Sequence, residues 1–293
     1  MNTILVLGAS GNIGSFLVQD LIKMNADIIA GVPATEMEKL EKQGIKTIEV
    51  NFNDPKSLER GMQQAVRLFM LLPMHLKMID WGRNIVNAAL KTGITFLVRS
   101  SLMDARTDSP YALYSVHGQI DQIVRESGIP YSIVHPNSFM QNFVNYYRGM
   151  IVNDSSFYFA ENDAAISYND VRDIAAVDAR ILADPVGHEN KEYDVTGPQA
   201  LTNFQIAEIL SSVTGRDIRY NPVDPGLYRR GLEQSGMPAW SIEMNMSLQD
   251  HIRDGKSARV TDTVKRITGR DPITFEQFAR ENAKYWEKVP AKV

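Results

Sequence analysis

The sequence contains no cysteine among its 293 residues. Disulfide bonds, thiolate nucleophiles and cysteine-ligated zinc are therefore excluded, and a chain without disulfides is compatible with the cytoplasm, where we expect it. Histidine is scarce as well, with five scattered residues, so we expect no metal site. No apolar run approaches the roughly 18 residues that a membrane-spanning helix needs, and we expect no membrane partner.

An excess of charge of either sign is also lacking. Lys and Arg together number 31 and Asp and Glu 35, which gives a formal net charge of −4. This balance argues against a protein that binds nucleic acid by general attraction to phosphate. A length of 293 residues allows one large domain or two small ones. Monomer and homodimer both stay open.

Short apolar runs alternate with helical patterns through the first half of the chain. Such alternation indicates a parallel sheet with right-handed crossovers. The sequence therefore predicts an α/β protein with a doubly wound parallel-sheet Rossmann fold. The predicted strands cover residues 3–7, 28–32, 47–52, 67–72, 96–100 and 131–135, and the predicted helices cover residues 14–24, 35–43, 78–91 and 114–127, with a further helix beginning at Asp54 and Pro55.

The second half of the chain is less regular, and no polar linker separates it from the first. We expect one continuous unit, in which a Rossmann domain over 1–155, joined again by 165–200, carries a smaller C-terminal α/β cap over 200–293. The predicted elements are helices over 170–182 and 203–214, a short strand over 192–195, an irregular stretch over 222–255 and a final helix over 275–289.

A GxxGxxG motif directly follows the first predicted strand and opens the first predicted helix. Gly8 allows a tight turn, Gly11 lets a pyrophosphate approach the backbone, and Gly14 lets the helix pack against the strand. The helix N-terminus then presents free N–H groups to the anion. The alternative is a relic loop that no longer binds a cofactor. The predicted dinucleotide-binding loop consists of Gly8, Ser10, Gly11, Asn12, Ile13 and Gly14.

Five further segments indicate which kind of dinucleotide-binding protein the chain resembles. They are LLPM (71–74), SGIPYSIVHPNSFMQNF (127–143), DVRDIAA (170–176), YDVTGPQALT (193–202) and VKRITGRDPITFEQFARENA (264–283). With the glycine spacing, they resemble the NmrA-like branch of the atypical short-chain dehydrogenases and reductases over nearly the whole chain. The resemblance implies NAD(P)(H) as the cofactor. It also implies one of two functions, since this branch contains both reductases and catalytically silent redox sensors.

The residues after the second strand leave the choice between NAD and NADP open. By the resemblance, relatives that use NADPH place an Arg where this chain has Val32 and a Lys where it has Glu36. Both cations are missing here. The acidic residue that ends this strand in NAD-binding proteins is missing too, because Asp27 precedes the strand.

Residues at the ends of the other strands are predicted to face the same crevice, because ligands of open α/β sheets bind outside the carboxyl ends of the strands. Core packing is the alternative for Phe139. The predicted cofactor contacts outside the glycine loop are Val32, Asn51, Phe52, Leu72, Pro73, Ser100, His117, Pro136, Asn137 and Phe139.

Typical short-chain dehydrogenases carry Tyr-x-x-x-Lys on one helix, where the Tyr moves the substrate proton. This chain lacks that dyad, since Tyr111 and Tyr114 are followed four residues later by Ser115 and Gly118. By resemblance to isoflavone-reductase-like enzymes, the position of a functional Lys is held by His117. With an ordinary pKa of about 6.5, this His is a candidate proton donor. Tyr114, one turn earlier, is a second candidate. The alternative for His117 is a polar helix residue without a catalytic role.

Two further groups of residues could belong to a site: a pair of aspartates and three large apolar residues of the cap. Asp170 and Asp173 form a pair of carboxylates, but we interpret them as a helix cap and structural contacts because the first turn of a helix favours acids. Trp240, Met244 and Met246 are predicted to cover the nicotinamide, which would favour a flat or apolar substrate. A dimer contact or an interior face is the alternative.

Two functions follow as hypotheses. The first is an oxidoreductase that passes hydride from NAD(P)H to a quinone, an azo compound or another small electrophilic acceptor; the cofactor supplies the chemistry and the protein the positioning. The second is a dinucleotide-responsive sensor without turnover. A sugar epimerase is disfavoured, because that chemistry depends on the missing Tyr-x-x-x-Lys.

Overall fold

The structure, a computed structural model, describes residues 2–287. The strands are β1 (Ile4–Leu7), β2 (Ile28–Val32), β3 (Thr47–Glu49), β4 (Arg67–Met70), β5 (Phe96–Ser100), β6 (Tyr131–Pro136), β7 (Ser156–Phe159), β8 (Ala165–Ile166), β9 (Lys191–Val195), β10 (Leu201–Thr202) and β11 (Arg219–Pro222). The helices are α1 (Asn12–Lys23), α2 (Ala34–Glu41), α3 (Pro55–Met62), α4 (Met78–Thr92), α5 (Ala112–Arg125), α6 (Asn142–Asn145), α7 (Arg148–Asp154), α8 (Val171–Ala183), α9 (Asn203–Thr214), α10 (Pro225–Gln234), α11 (Ala239–Arg253), α12 (Thr263–Thr268) and α13 (Phe275–Asn282), which continues as a 3-10 turn (Ala283–Trp286).

A seven-stranded parallel sheet in the order β3-β2-β1-β4-β5-β6-β9 forms the centre of the molecule. This confirms the predicted doubly wound α/β fold. β1 pairs with β2 on one side and with β4 on the other, and the direction of the strand order reverses between β1 and β4. In such sheets the ligand crevice lies at this reversal, outside the carboxyl ends of the strands.

Helices cover both faces of the sheet, which is why its central strands are continuously apolar. All four residues of β1 are buried. One core packs α1 and α8 against one face, and the other packs α3, α4 and α5 against the opposite face. The return of β9 to the sheet and of α8 to α1 ties the middle of the chain to the first half.

A third core, which we call the cap core, lies outside the sheet. It draws buried residues from 140–168 as well as from 206–286, so it begins within the range that the sequence assigned to the Rossmann domain. Phe143 lies at its centre, and its backbone carbonyl accepts a hydrogen bond from Trp286 Nε1 at 3.0 Å. The division into domains at 155 and 200 stays a prediction. The rings in edge contact with Phe143 are Tyr147, Phe157, Tyr168 and Phe275.

The prediction of an irregular stretch over 222–255 is wrong, because α10 and α11 occupy most of it. Two of its three prolines begin helices instead of interrupting them: Pro225 stands in the first turn of α10 behind the capping side chain of Asp224, and Pro238 is the N-cap of α11. The predicted third strand is shorter than expected and ends at Glu49. The predicted final helix ends at Asn282, and its last two residues, 288 and 289, lie outside the described residues.

Between residues 2 and 287, no helix is long and apolar enough to cross a membrane. Over the same residues, no group of three or more His, Cys, Asp or Glu side chains is arranged to hold a metal ion.

Candidate functional site

The glycine loop joins β1 to α1 in a tight turn. Gly8 has a φ of +79°, and its carbonyl oxygen accepts a hydrogen bond from Gly11 N–H at 3.1 Å. A Cβ atom on Gly14 would lie 2.0 Å from that same carbonyl oxygen, so α1 can reach this position only with glycine. A Cβ atom on Gly11 would meet Gly8 O at 3.3 Å, and the φ of Gly11 is an ordinary −76°. The fold therefore requires Gly8 and Gly14, whereas Gly11 leaves the outer face of the loop open.

The N-terminus of α1 is suited to an anion. No side chain in the described part of the chain caps it, and its first turn contains no acidic residue. Its N–H groups and its partial positive charge therefore face outward. Ser10 and Asn12 are exposed at this end, whereas Ile13 is buried in the core and contributes only its backbone.

The ends of β2, β3 and β4 lie at the same edge of the sheet as the loop, because all of these strands are parallel. Val32 and Leu72 are buried there, and Pro73 is exposed. Asn51 is exposed, and its Oδ1 accepts a hydrogen bond from Asn53 N–H at 2.9 Å. That these positions line a cofactor crevice stays a prediction.

A group of aromatic rings lies beside these strand ends. His75 stacks on Trp81 with 4.3 Å between ring centroids, and Phe52 lies 5.6 Å from Trp81. The ring centroid of Trp240, in α11, lies 6.1 Å from that of His75. Trp240 thus brings the cap to the loop that follows β4, and its predicted place over the nicotinamide stays a prediction. In the same helix, Met246 is buried and packs inward.

A buried ion pair lies directly behind the end of β5. Arg99 of β5 and Asp121 of α5 are both fully buried, and Arg99 Nε donates to Asp121 Oδ1 at 2.7 Å. Oδ2 of Asp121 accepts a hydrogen bond from Ser101 Oγ at 2.7 Å and lies 3.3 Å from His135 Nε2. Burial alone would raise the pKa of Asp121, but the Arg99 charge and these hydrogen bonds together hold that pKa below its usual range.

The same guanidinium sets the state of His117. Arg99 Nη2 lies 3.4 Å from His117 Nδ1, and a guanidinium can only donate, so Nδ1 accepts and Nε2 carries the proton. Burial and the neighbouring Arg99 charge lower the pKa of His117 to about 3. His117 is therefore a neutral hydrogen-bond donor at neutral pH. The expected pKa of about 6.5 is too high because the sequence reveals neither the burial of His117 nor its contact with Arg99.

Tyr114 lies in the interface between α5 and α11. Its ring is 1% exposed and stacks on His251 with 3.8 Å between centroids. Burial, with a smaller contribution from Asp104, raises its pKa far above the ordinary value. A phenol in this environment is a weak acid, which favours a packing role over proton donation.

The segment after β6 attaches the cap to the sheet. Asn137 Nδ2 donates to Ser167 Oγ and to the Ser257 carbonyl, both at 2.8 Å, and its Oδ1 accepts from Ser138 N–H. Protein groups thus use the polar atoms that we expected to contact a cofactor. Pro136 is buried in β6, and Phe139 packs against the core.

The end of β5 contrasts with the segment after β6. Ser100 is 1% exposed, and its Oγ has no hydrogen-bond partner anywhere in residues 2–287. A buried hydroxyl at the carboxyl end of β5 without a protein partner fits a site that is completed by a ligand hydroxyl or amide.

The interpretation of Asp170 and Asp173 as structural residues is confirmed. Asp170 is the N-cap of α8, where its side chain accepts from Arg172 N–H. Asp173 accepts from Ile273 N–H at 2.7 Å and pairs with Arg270 at 2.5 Å. Asp170 therefore caps α8, and Asp173 connects α8 to the segment before α13.

One buried carboxyl in the cap was missed by the sequence reasoning. Glu161 is 3% exposed and accepts hydrogen bonds from Asn203 Nδ2 at 2.5 Å and Gln249 Nε2 at 2.8 Å. Burial raises the pKa of Glu161 from its ordinary 4.5 to about 7, although both hydrogen bonds oppose the shift. The sequence offers no signal for this, since the three residues are far apart along the chain.

Glu161→Gln is expected to change how stability depends on pH. The pKa of Glu161 is higher in the folded than in the unfolded state. The unfolding free energy of the native chain therefore falls as the pH rises from the unfolded-state pKa through about 7. The Gln variant should therefore gain about 3 kcal/mol of unfolding free energy over the native chain between pH ~4.5 and pH ~8. Urea unfolding at the two pH values measures this gain. Glu208→Gln, at an exposed position of α9, is the control and should show no gain. Parallel pH curves for Glu161→Gln and the native chain would contradict the prediction.

Comparison with known proteins agrees with this arrangement. A sequence profile of the NmrA-like family matches residues 1–272. The chain is 32% identical over 281 residues to the NAD(P)H azoreductase of Xenophilus azovorans, with 96% of this chain and 98% of that protein covered. It is 27% identical over 279 residues to quinone oxidoreductase 2 of Escherichia coli (strain K12), with 94% and 96% covered.

A solved structure shows the same fold. It is the NADPH-dependent quinone oxidoreductase from Escherichia coli in complex with NADPH, with a TM-score of 0.86 at 24% identity, covering 95% of this chain and 99% of the other. The family profile covers most of the chain, and the azoreductase is a full-length relative. The chain therefore belongs to the NmrA-like family.

Proposed function

We propose that this chain is a reductase that binds NAD(P)H in the crevice and passes hydride to a quinone, an azo compound or another small electrophilic acceptor. The observation that carries the proposal is the glycine loop, in which Gly14 fits against Gly8 while Gly11 stays open beside the uncapped end of α1. The names of the azoreductase and quinone oxidoreductase relatives support the acceptor class.

The chain's own residues bind and orient the dinucleotide. N–H groups at the start of α1 hold the pyrophosphate, with the exposed Ser10 and Asn12 beside it. Ser100 Oγ and His117 Nε2 offer hydrogen bonds at the end of β5 and on α5. When bound, the nicotinamide supplies the hydride. The remaining proposed lining residues are Val32, Asn51, Phe52, Leu72, Pro73, Pro136 and Phe139.

His117 is proposed to act as a hydrogen-bond donor and not as an acid. With its pKa at about 3, the imidazole is neutral at neutral pH and lacks the acidic proton of an imidazolium, so the proton that follows the hydride comes from water. The Nε2–H group instead fixes a ribose hydroxyl or the oxygen of the acceptor.

His117→Gln is therefore expected to lower kcat/KM by about tenfold, the effect of one lost hydrogen bond. Its pH profile between about pH 5 and pH 8 should be parallel to that of the native chain, because the group does not titrate there. Steady-state rates over this range provide the measurement. An inflection near pH ~6.5 that is present in the native chain and absent from the variant would show acid catalysis instead.

A dinucleotide-responsive sensor is the second candidate. The observation that favours it is the environment of Tyr114, which is buried against His251 and has no Lys four residues later. A protein of this kind would bind the dinucleotide without oxidising it.

One experiment separates the two functions. NADH and NADPH are titrated by fluorescence, and oxidation of the reduced nicotinamide is then followed with a panel of quinones and azo dyes. Acceptor-dependent oxidation supports the reductase. Tight binding without oxidation by any member of the panel rejects the reductase for these acceptors and supports the sensor. Absence of binding by either nucleotide rejects both functions.

The finer properties of the protein are also proposals. We propose a small apolar or aromatic substrate, because Trp240 brings the cap to the aromatic rings beside β4. The near balance of charge supports a protein without a nucleic-acid partner. The proposed compartment is the cytoplasm, and the proposed assembly is a monomer or a homodimer.

A further inference from the structure

Glu36 is a carboxylate in an unusual environment. It lies in the first turn of α2, and its Oε2 is buried without a hydrogen-bond partner among the described residues. A buried carboxylate oxygen without a donor is costly, and native proteins rarely retain one without a reason. Its position in the fold indicates what the missing donor is.

The first turn of α2 directly follows β2, the strand that pairs with β1 on the side of the glycine loop. β2 ends at Val32, Pro33 caps α2, and the strand pairs with β1 so that Gly31 lies opposite Leu7, the residue before Gly8. In doubly wound dinucleotide sites, the side chain just after this strand meets the adenosine ribose. A carboxylate there accepts a hydrogen bond from the 2′-hydroxyl, whereas a cation receives a 2′-phosphate.

Groups that would favour a 2′-phosphate are lacking here. The first arginine of the sequence is Arg60, so neither β2 nor α2 contains a guanidinium. Lys42 pairs with Glu38 at 2.6 Å, and Lys39 is in the last turn of α2. Pro33 has no N–H group to donate. A 2′-phosphate would bring a charge of about −1.5 to −2 to a position beside the Glu36 carboxylate.

We propose that Glu36 makes this chain selective for NAD(H) over NADP(H). Its Oε2 accepts a hydrogen bond from a hydroxyl of the adenosine ribose, and its charge repels the 2′-phosphate of NADP(H). This inference rests on the proposed function, because it requires the dinucleotide to occupy the crevice. It differs from the sequence reasoning, which found no acidic residue for this purpose.

Direct binding measurements test the inference without any acceptor. Dissociation constants of NADH and NADPH are measured for the native chain, for Glu36→Gln and for Glu36→Lys. The native chain should bind NADH at least about 10-fold more tightly than NADPH. Glu36→Lys should shift the ratio of the two constants toward NADPH by at least about 10-fold, and Glu36→Gln should shift it in the same direction by less.

Glu38→Lys is the matched control, because it makes the same change of charge on the same helix at an exposed position. The ratio of its dissociation constants for NADH and NADPH should stay within about threefold of the native ratio. The inference is overturned if the native chain binds both nucleotides equally or prefers NADPH. It is also overturned if Glu36→Lys and Glu38→Lys shift the ratio equally. If the native chain binds neither nucleotide, the proposed function fails together with it.

Discussion

Gly14→Ala is expected to destabilise the protein by about 3 kcal/mol or more and to abolish dinucleotide binding. The new methyl carbon would lie 2.0 Å from the Gly8 carbonyl oxygen, 2.7 Å from Gly8 C and 2.9 Å from Ala9 Cα. All three are backbone atoms, so no side-chain rotation can relieve the overlap. The loop or the whole of α1 must shift. Urea unfolding and NADH titration measure the two losses.

Gly11→Ala is the matched variant in the same loop. Its methyl carbon would meet Gly8 O at 3.3 Å with an ordinary φ, so the unfolding free energy should stay within about 0.5 kcal/mol of the native value. NADH binding should nevertheless fall by about 100-fold, because the methyl group occupies the approach of the pyrophosphate. Native affinity in Gly11→Ala would mean that no pyrophosphate contacts this loop.

Asp121→Ala is expected to cost about 3–5 kcal/mol of unfolding free energy. The substitution leaves the Arg99 guanidinium fully buried without its carboxylate, and it also removes the acceptor of the Ser101 hydroxyl. An uncompensated buried charge is far more costly than the loss of the pair as a whole. Urea unfolding at neutral pH measures the effect.

Two controls distinguish this cost from a general effect of losing an acid. Asp108→Ala breaks the exposed pair with Arg106 and should change stability by less than about 1 kcal/mol. The double variant Arg99→Met with Asp121→Leu removes both charges and should recover most of the loss. Equal destabilisation by the single and the double variant would indicate that lost packing, and not the stranded charge, explains the result.

The sheet and the glycine loop could be predicted because their signals are local. The apolar run before Gly8 and the three glycines lie within the first 14 residues, and the periodic helices end at ordinary signals such as Gly93 in the left-handed conformation. The parallel sheet follows from the alternation of strands and helices joined by right-handed crossovers. Such patterns need no knowledge of distant contacts.

The electrostatics of the site could not be predicted in this way. Arg99 and Asp121 are 22 residues apart, and the sequence reveals neither the burial of His117 nor its contact with Arg99, which together lower its pKa. The charged Arg99 within the apolar strand FLVRS is the one available signal, because a buried strand tolerates a cation only with a partner. Likewise, Asn137 directly follows β6, and its place in the sequence suggested a contact with the cofactor. Its Nδ2 group instead donates to Ser167 and Ser257, which are distant in the sequence.

The cap core has a consequence for protein engineering. Its side chains come from 140–168 and from 206–286, and the intervening chain returns to the main sheet through α8 and β9. The Asn137 contacts with Ser167 and Ser257 join these pieces again at the sheet. An intact cap therefore cannot be exchanged between relatives by a single crossover near residue 200. A functional chimera must exchange both segments together, and recombination libraries should keep them from one parent.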